Sequence, residues 1–232
     1  MTKAMVINGS PSMEKGLTAT VLSPFIKGMS DAGCEVELEY ASRLKIKPCA
    51  CGEMYCWYVR PGECCIQDQM QALMPKLKAA DILILATPVY IPLPGAMQDL
   101  VNRLCPLINP VLEYRAGRTR ARFRDDVQIR QIGLVSTGGW WERANMDTVV
   151  RIAEELAEDA SVQFAGAVLR PHANLMKVKG ELTSDGQAVL DAAKRAGFEL
   201  VSQGAVSRET LDAVSRPLIS EEELRRRYNQ IA

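Results

Sequence analysis

The chain alternates short apolar runs with longer stretches in which apolar residues recur every three or four positions. Two runs, DILILAT from Asp81 and QIGLVST from Gln131, are almost unbroken. A strand covered on both faces has no wet side, so its sequence reads as continuous rather than alternating. Strands are predicted over Ala4–Asn8, Glu35–Tyr40, Asp81–Thr87, Gln131–Ser136 and Gln163–Leu169. Helices are predicted over Leu17–Ala32, Gln67–Ala79, Gly95–Leu104, Met146–Asp159 and Gly186–Gln203, with Val149, Ile152, Ala153 and Leu156 at helical spacing in the fourth. Strand followed by crossover helix, repeated, predicts an α/β fold: a doubly wound, five-stranded parallel sheet with helices on both faces.

No linker or repeat divides residues 1–232, so a single domain is expected. Three segments break the rhythm: a Cys-rich insertion over 48–68, a basic insertion over 109–130, and a helical tail over 205–232. In the tail, Ser220 followed by Glu223 has the spacing of a capping box.

Composition narrows the function classes. The chain is 47% hydrophobic, enough for a sizeable core, and 28 basic residues balance 28 acidic ones. A net charge of zero suggests neither a nucleic-acid nor an anionic-membrane partner. The opening MTKAMVINGS reaches Asn8 and Gly9 too soon for a signal peptide, and no run approaches the roughly 18 apolar residues of a membrane span. The expectation is a soluble cytoplasmic protein. Seven cysteines, an odd number in a reducing compartment, speak against a disulfide framework.

Ligands of open parallel sheets bind beyond the carboxyl ends of the strands. Three loops there carry chemistry. NGSPSMEKGLT, after the first strand, offers Gly9, the hydroxyls of Ser10, Ser12 and Thr18, and a helix start at Gly16–Leu17. N–H groups at a helix start beside hydroxyls suit a phosphate, although the loop has neither Walker A nor GxGxxG form. TPVYIPLPGAM, after the third strand, is stiffened by Pro88, Pro92 and Pro94 and presents Tyr90, as a flat polar heterocycle would require. STGGWWER, after the fourth, pairs Gly138–Gly139 with Trp140–Trp141, one of which should point outward. Together the three describe a site for a phosphorylated planar cofactor.

These motifs (GSPS-x3-GLT, PC…CW-x3-PG-x-C, TPVY-IPLPGAM-x-DLVNR and VSTGGWWE-x2-NMD, with GAVLRPHA later) resemble those of the flavodoxin-like NAD(P)H-dependent FMN reductases, and within them the iron–sulfur flavoprotein branch. The resemblance spans about Lys3 to Ala173. It implies FMN bound non-covalently, its phosphate held by Ser10, Ser12, Gly16, Leu17 and Thr18. Pro88, Val89, Tyr90 and Ile91 would line the ring, and Ser136, Thr137, Gly138, Gly139 and Trp140 would close the other side. The family often has Asn where Leu17 stands, so backbone N–H groups would replace one side-chain contact. The implied activity is NAD(P)H oxidation through FMN with reduction of a small acceptor such as a quinone, nitro compound or flavin. The alternative is an electron carrier exchanging with a ferredoxin-like protein.

The cysteines fall as Cys49-x-Cys51-x4-Cys56-x7-Cys64, followed at once by Cys65. The branch shows two residues between each of its first three cysteines, so the spacing here departs from it. Four thiolates match the donor count of a [4Fe–4S] cluster or of zinc. Free thiols near the flavin are the other reading, and in each case Pro48–Asp68 is expected to cover the flavin. Cys34 and Cys105 read as core residues, Cys105 on an apolar helix face. Because FMN would carry the chemistry, no catalytic side chain is assigned, and His172 reads as a structural hydrogen-bonding residue. Arg115, Arg118, Arg120, Arg122, Arg124 and Arg130 could seize a nucleotide phosphate, but a solvated hairpin or subunit-contact arm is the favoured reading. Exposed tryptophans and the two insertions point to a homodimer or homotetramer.

Overall fold

Successive residues of the central strands face two different helical layers. Met5, Ile7, Leu83, Leu85, Ile132 and Leu134 bury into one core, and Ala4, Val6, Ile82, Ile84 and Val135 into the other. This is why the runs carry no polar alternation: both faces are dry.

The computed structural model describes residues 1–230. The elements run β1 (Lys3–Asn8), α1 (Leu17–Asp31), β2 (Glu35–Tyr40), α2 (Ala41–Leu44), α3 (Tyr55–Tyr58), α4 (Met70–Ala79), β3 (Ile82–Pro88) and α5 (Gly95–Asn102). There follow β4 (Ile108–Arg115), β5 (Arg118–Phe123), β6 (Gln131–Thr137), α6 (Asp147–Ala160) and β7 (Gln163–Arg170). The chain closes with β8 (Lys177–Val178), β9 (Glu181–Leu182), α7 (Ser184–Gln203), α8 (Arg208–Ser215) and α9 (Glu221–Asn229). The main sheet has the order β2-β1-β3-β6-β7, all parallel. Counting only its own strands this is 2-1-3-4-5, the flavodoxin-like order, whose ligand crevice opens where strand order reverses beside β1 and β3.

Helices α4, α5 and α6 cover one face, α1 and α7 the other. Helices α1 and α7 touch through glycines. A Cβ on Gly28 would lie 1.9 Å from the Lys194 carbonyl oxygen, and one on Gly197 the same distance from that of Phe25. No helix of the described residues is long and apolar enough to cross a membrane.

All five expected strands are present, with ends moved by a residue at most. Helix α4 starts at Met70 rather than Gln67, because Asp68 is drawn into the ion pair with Arg103 and accepts the Met70 N–H instead of continuing the helix. Only half of the capping box forms: the Glu223 N–H donates to Ser220 Oγ at 3.2 Å, while the Glu223 carboxylate turns to Arg226 and Arg227. Ile231 and Ala232, the end of the expected tail, lie outside the described residues.

The basic insertion is the β4–β5 hairpin, turned by Ala116 and Gly117 at positive φ. Two of its arginines are held by carboxylates of α6: Arg120 reaches Asp159 at 2.8 Å and Glu158 at 2.6 Å, and Arg118 reaches Glu155 at 2.9 Å. The hairpin reading therefore fits, and the charges of these two guanidinium groups are engaged.

Candidate cofactor site

Hydrogen bonds between backbones lock the three strand-end loops to one rim. Gly9 N–H donates to Ala86 O (2.7 Å), Val89 N–H to Thr137 O (2.9 Å), Gly138 N–H to Arg170 O (3.0 Å) and Ala173 N–H to Gly138 O (3.0 Å). Side chains reinforce them. Thr18 Oγ1 lies 2.8 Å from Thr137 Oγ1, joining the first helix to the fourth-strand loop.

Two adjoining cavities follow from this. One, of about 410 Å³, is lined by Ser10, Ser12, Gly16, Leu17 and Thr18 on one side and by Pro88, Val89, Tyr90, Thr137, Gly138 and Gly139 on the other. The second, of about 470 Å³, shares Val89, Tyr90, Gly138 and Gly139 and extends over Ile91, Trp140, Glu142, Asn145 and Met146. The shared residues make them two ends of one groove.

The first end has the features of an anion cradle. Gly16 caps α1, no side chain caps that helix, and no acidic residue sits in its first turn. Its first N–H groups thus have no side-chain acceptor, and the helix dipole adds positive potential there. Gly16 lies so close to Ser10 that a Cβ would approach Ser10 Oγ to 2.6 Å. Lys15, which sequence reading passed over, also lines this end. A lysine on a loop carries no pattern that marks it in advance. The second end is mostly apolar, with Tyr90 and Trp140 more than half exposed at its mouth. A phosphate at one end and a planar ring at the other fit this division of polarity.

Thirteen of the fourteen expected cofactor residues line the groove. The exception is Ser136, which is fully buried and donates to Thr87 O at 2.9 Å, so it ties β6 to β3 instead of facing a ligand. Of the two tryptophans, Trp140 is the outward one. Trp141 lies parallel to the His172 ring at a 6.4 Å centroid distance and donates to Ile219 O at 2.8 Å. His172 has the structural role expected of it. Its Nε2 receives N–H groups from Arg170 (2.7 Å) and Leu218 (3.1 Å), which places the ring proton on Nδ1. Burial, and then the Arg170 charge, push its pKa down to about 4. Ala173, Asn174 and Tyr228 also line the groove; they lie far along the chain from its motifs and were not anticipated.

The Cys-rich insertion departs from expectation. None of its residues lines the groove, so Pro48–Asp68 does not cover the cofactor cavity. It is fastened elsewhere: Arg103 binds Asp68 and the Lys47 carbonyl at its two ends, and Trp57 Nε1 donates to Cys105 O at 2.9 Å. Cys105 itself lies beyond the α-helix expected to carry it: α5 ends at Asn102, and Cys105 opens a short 3-10 turn, Cys105–Leu107, half-buried beside the insertion.

The fit of Cys49, Cys51, Cys56 and Cys64 to a metal is poor. All seven cysteines are free, and Cys49 and Cys51 bring their sulfurs to 3.6 Å. Among the described residues, however, no three His, Cys, Asp or Glu side chains converge as a ligand set. Left-handed Glu53 and Met54 interrupt the segment between Cys51 and Cys56. Burial pushes the Cys56 thiol up to about 12, and burial also raises Cys49 and Cys105.

An iron–sulfur flavoprotein of Archaeoglobus fulgidus is 33% identical over 118 residues, half of this chain and 51% of that protein, so the match spans about half the relative's length. In fold, the chain is similar to an NAD(P)H:quinone oxidoreductase from Methanothermobacter marburgensis, at 17% identity and a TM-score of 0.60 over 86% of this chain and 96% of the other. It is also similar to an FMN-dependent NADH-azoreductase from Bacillus anthracis in complex with FMN, at 11% identity and 0.59 over 88% of this chain and all of the other. The NADPH-dependent FMN reductase model matches residues 2–174, three of whose loops build the groove described above, and the chain belongs to that family.

Proposed function

We propose that the chain is an FMN-dependent NAD(P)H oxidoreductase that reduces a small acceptor of the quinone, nitro-compound or flavin class. The observation that carries this reading is the single groove made by three bonded loops, polar at the α1 end and mostly apolar, with Tyr90 and Trp140, at the other. When bound, FMN supplies the hydride and electron chemistry, and the protein supplies stacking, orientation and dipoles. Ser10, Ser12, Thr18 and the start of α1 would hold the phosphate. Val89, Tyr90, Gly138 and Gly139 would fix the ring in one plane, and Trp140 and Ile91 would keep water from its edge. The exposed second cavity leaves room beside the ring for a nicotinamide or acceptor in turn. Removing FMN should abolish NAD(P)H oxidation with a quinone and adding it back should restore the rate; a chain that neither binds FMN nor turns over with it sinks the proposal.

A second reading, an electron carrier with a [4Fe–4S] cluster and a ferredoxin-like partner, draws on the name of the Archaeoglobus relative. The unconverged sulfurs oppose it. Iron analysis after anaerobic purification decides: about four irons per chain favours the carrier. We also propose cytoplasmic location and assembly as a homodimer or homotetramer. Exposed Tyr58 and Val59 on one insertion and Val111, Leu112 and Tyr114 on the other support the assembly. Sedimentation at monomer mass would refute it.

A further inference from the structure

The family match ends at residue 174, yet the chain after α7 returns to the cofactor groove. It is tied to the rim by hydrogen bonds at successive positions. Arg170, fully buried, donates to the carbonyls of Val214 (2.8 Å) and Arg216 (2.9 Å). Leu218 N–H donates to His172 Nε2 and Trp141 Nε1 to Ile219 O. At the end of the arm Tyr228 Oη donates to Gly139 O at 3.2 Å.

Helix α9 is built to deliver that last contact. Its arginines pair with its own glutamates, as in Arg226 and Arg227 with Glu223. Leu224, which is buried, and Tyr228 are four residues apart and so share one face. That face meets the loop whose Gly138 and Gly139 wall both ends of the groove. Tyr228 also lines the cavity that contains Ser10, Ser12 and Thr18.

We propose that Tyr228, carried on the C-terminal arm, is a cofactor-binding residue: its ring closes the phosphate-side cavity and its hydroxyl holds the Gly139 turn in place. This rests on the FMN reading above. A phenol suits the position because it gives a rigid apolar face and a polar tip at little cost in side-chain entropy. The arm makes binding depend on a segment outside the family's shared cradle, so cofactor affinity can vary without altering the three loops.

The test is titration of FMN into cofactor-free full-length protein, followed by quenching of flavin fluorescence, together with thermal melting of the cofactor-free forms. Tyr228→Ala should raise the FMN Kd about tenfold, and Tyr228→Phe, which keeps the ring, should fall between Tyr228→Ala and wild type. Cofactor-free melting temperatures should stay together, since the residue is half exposed. Wild-type binding with an unchanged Kd in Tyr228→Ala overturns the inference alone. A large drop in the melting temperature of cofactor-free Tyr228→Ala also overturns it, because the role would then be structural. If wild type fails to bind FMN, the functional reading falls and takes this one with it.

Discussion

Arg103 and Asp68 form a forked ion pair buried to within a few per cent, Nη1 to Oδ2 at 2.7 Å and Nη2 to Oδ1 at 3.1 Å. Burial opposes the arginine's charge, but the bonds to Asp68 outweigh it and hold the guanidinium above its ordinary pKa. The same side chain takes the Lys47 carbonyl, so one residue at the end of α5 closes the base of the Cys-rich insertion. Asp68→Asn should leave a buried guanidinium without its counter-charge. The expected loss is about 3–5 kcal/mol of folding free energy, read as a lower urea midpoint. A midpoint within error of wild type would show that the pair does not carry this load.

The α1 cradle has no spare volume at Gly16. A methyl there would press on Ser10 Oγ at 2.6 Å, the hydroxyl proposed above to hold the phosphate. Gly16→Ala should weaken FMN binding about tenfold, or about 1.4 kcal/mol, in equilibrium titration. Riboflavin, which lacks the phosphate, should bind both forms alike. Equal losses for the two ligands would place the damage at the ring end.

His172 makes stability depend on pH in one direction. Its folded pKa of about 4 is below its ordinary value of 6.5, so the unfolded chain takes up a proton first as pH falls. Stability should be unaffected by this group above about pH 6.5 and decline between there and about pH 4, by up to about 3 kcal/mol. Denaturant melts of wild type and His172→Asn across that range isolate the contribution, because carboxylates titrate in both. Asn also tolerates the left-handed backbone at this position, φ +37°. Identical slopes in the two proteins would contradict the assignment.

The arginine hairpin gives a prediction of no effect. Arg118 and Arg120 are spent on α6 carboxylates and line neither end of the groove. Arg118→Ala should change the KM for NADPH by less than about twofold, whereas a residue holding a nucleotide phosphate would be worth well over tenfold. A large rise in KM for NADPH but not NADH would restore the nucleotide role.

The parallel sheet was legible because burial on both faces leaves a local mark: an unbroken apolar run, as in the five residues Ile82 to Ala86 of DILILAT. The three loops were legible for a related reason. Glycine, proline and hydroxyl residues at strand ends impose conformation within a few positions, and a parallel sheet sends such ends to one rim.

What periodicity could not supply was any contact between distant segments. Arg103 meeting Asp68, Cys105 joining the Cys-rich insertion and Tyr228 reaching Gly139 each join residues between 35 and 89 positions apart, or outside any shared motif. Their partners were chosen by which carbonyl or carboxylate remained unpaired once helices had packed, a matter of three-dimensional bookkeeping that no local pattern records. Ser136 shows the same limit at short range. A hydroxyl beside a ligand loop looks like a ligand, and only the sheet register turns it inward to Thr87. The sequence by itself determined the sheet, its rim and the class of molecule that rim can hold; tertiary packing decided which side chains face the groove, because orientation is settled by neighbours and not by order.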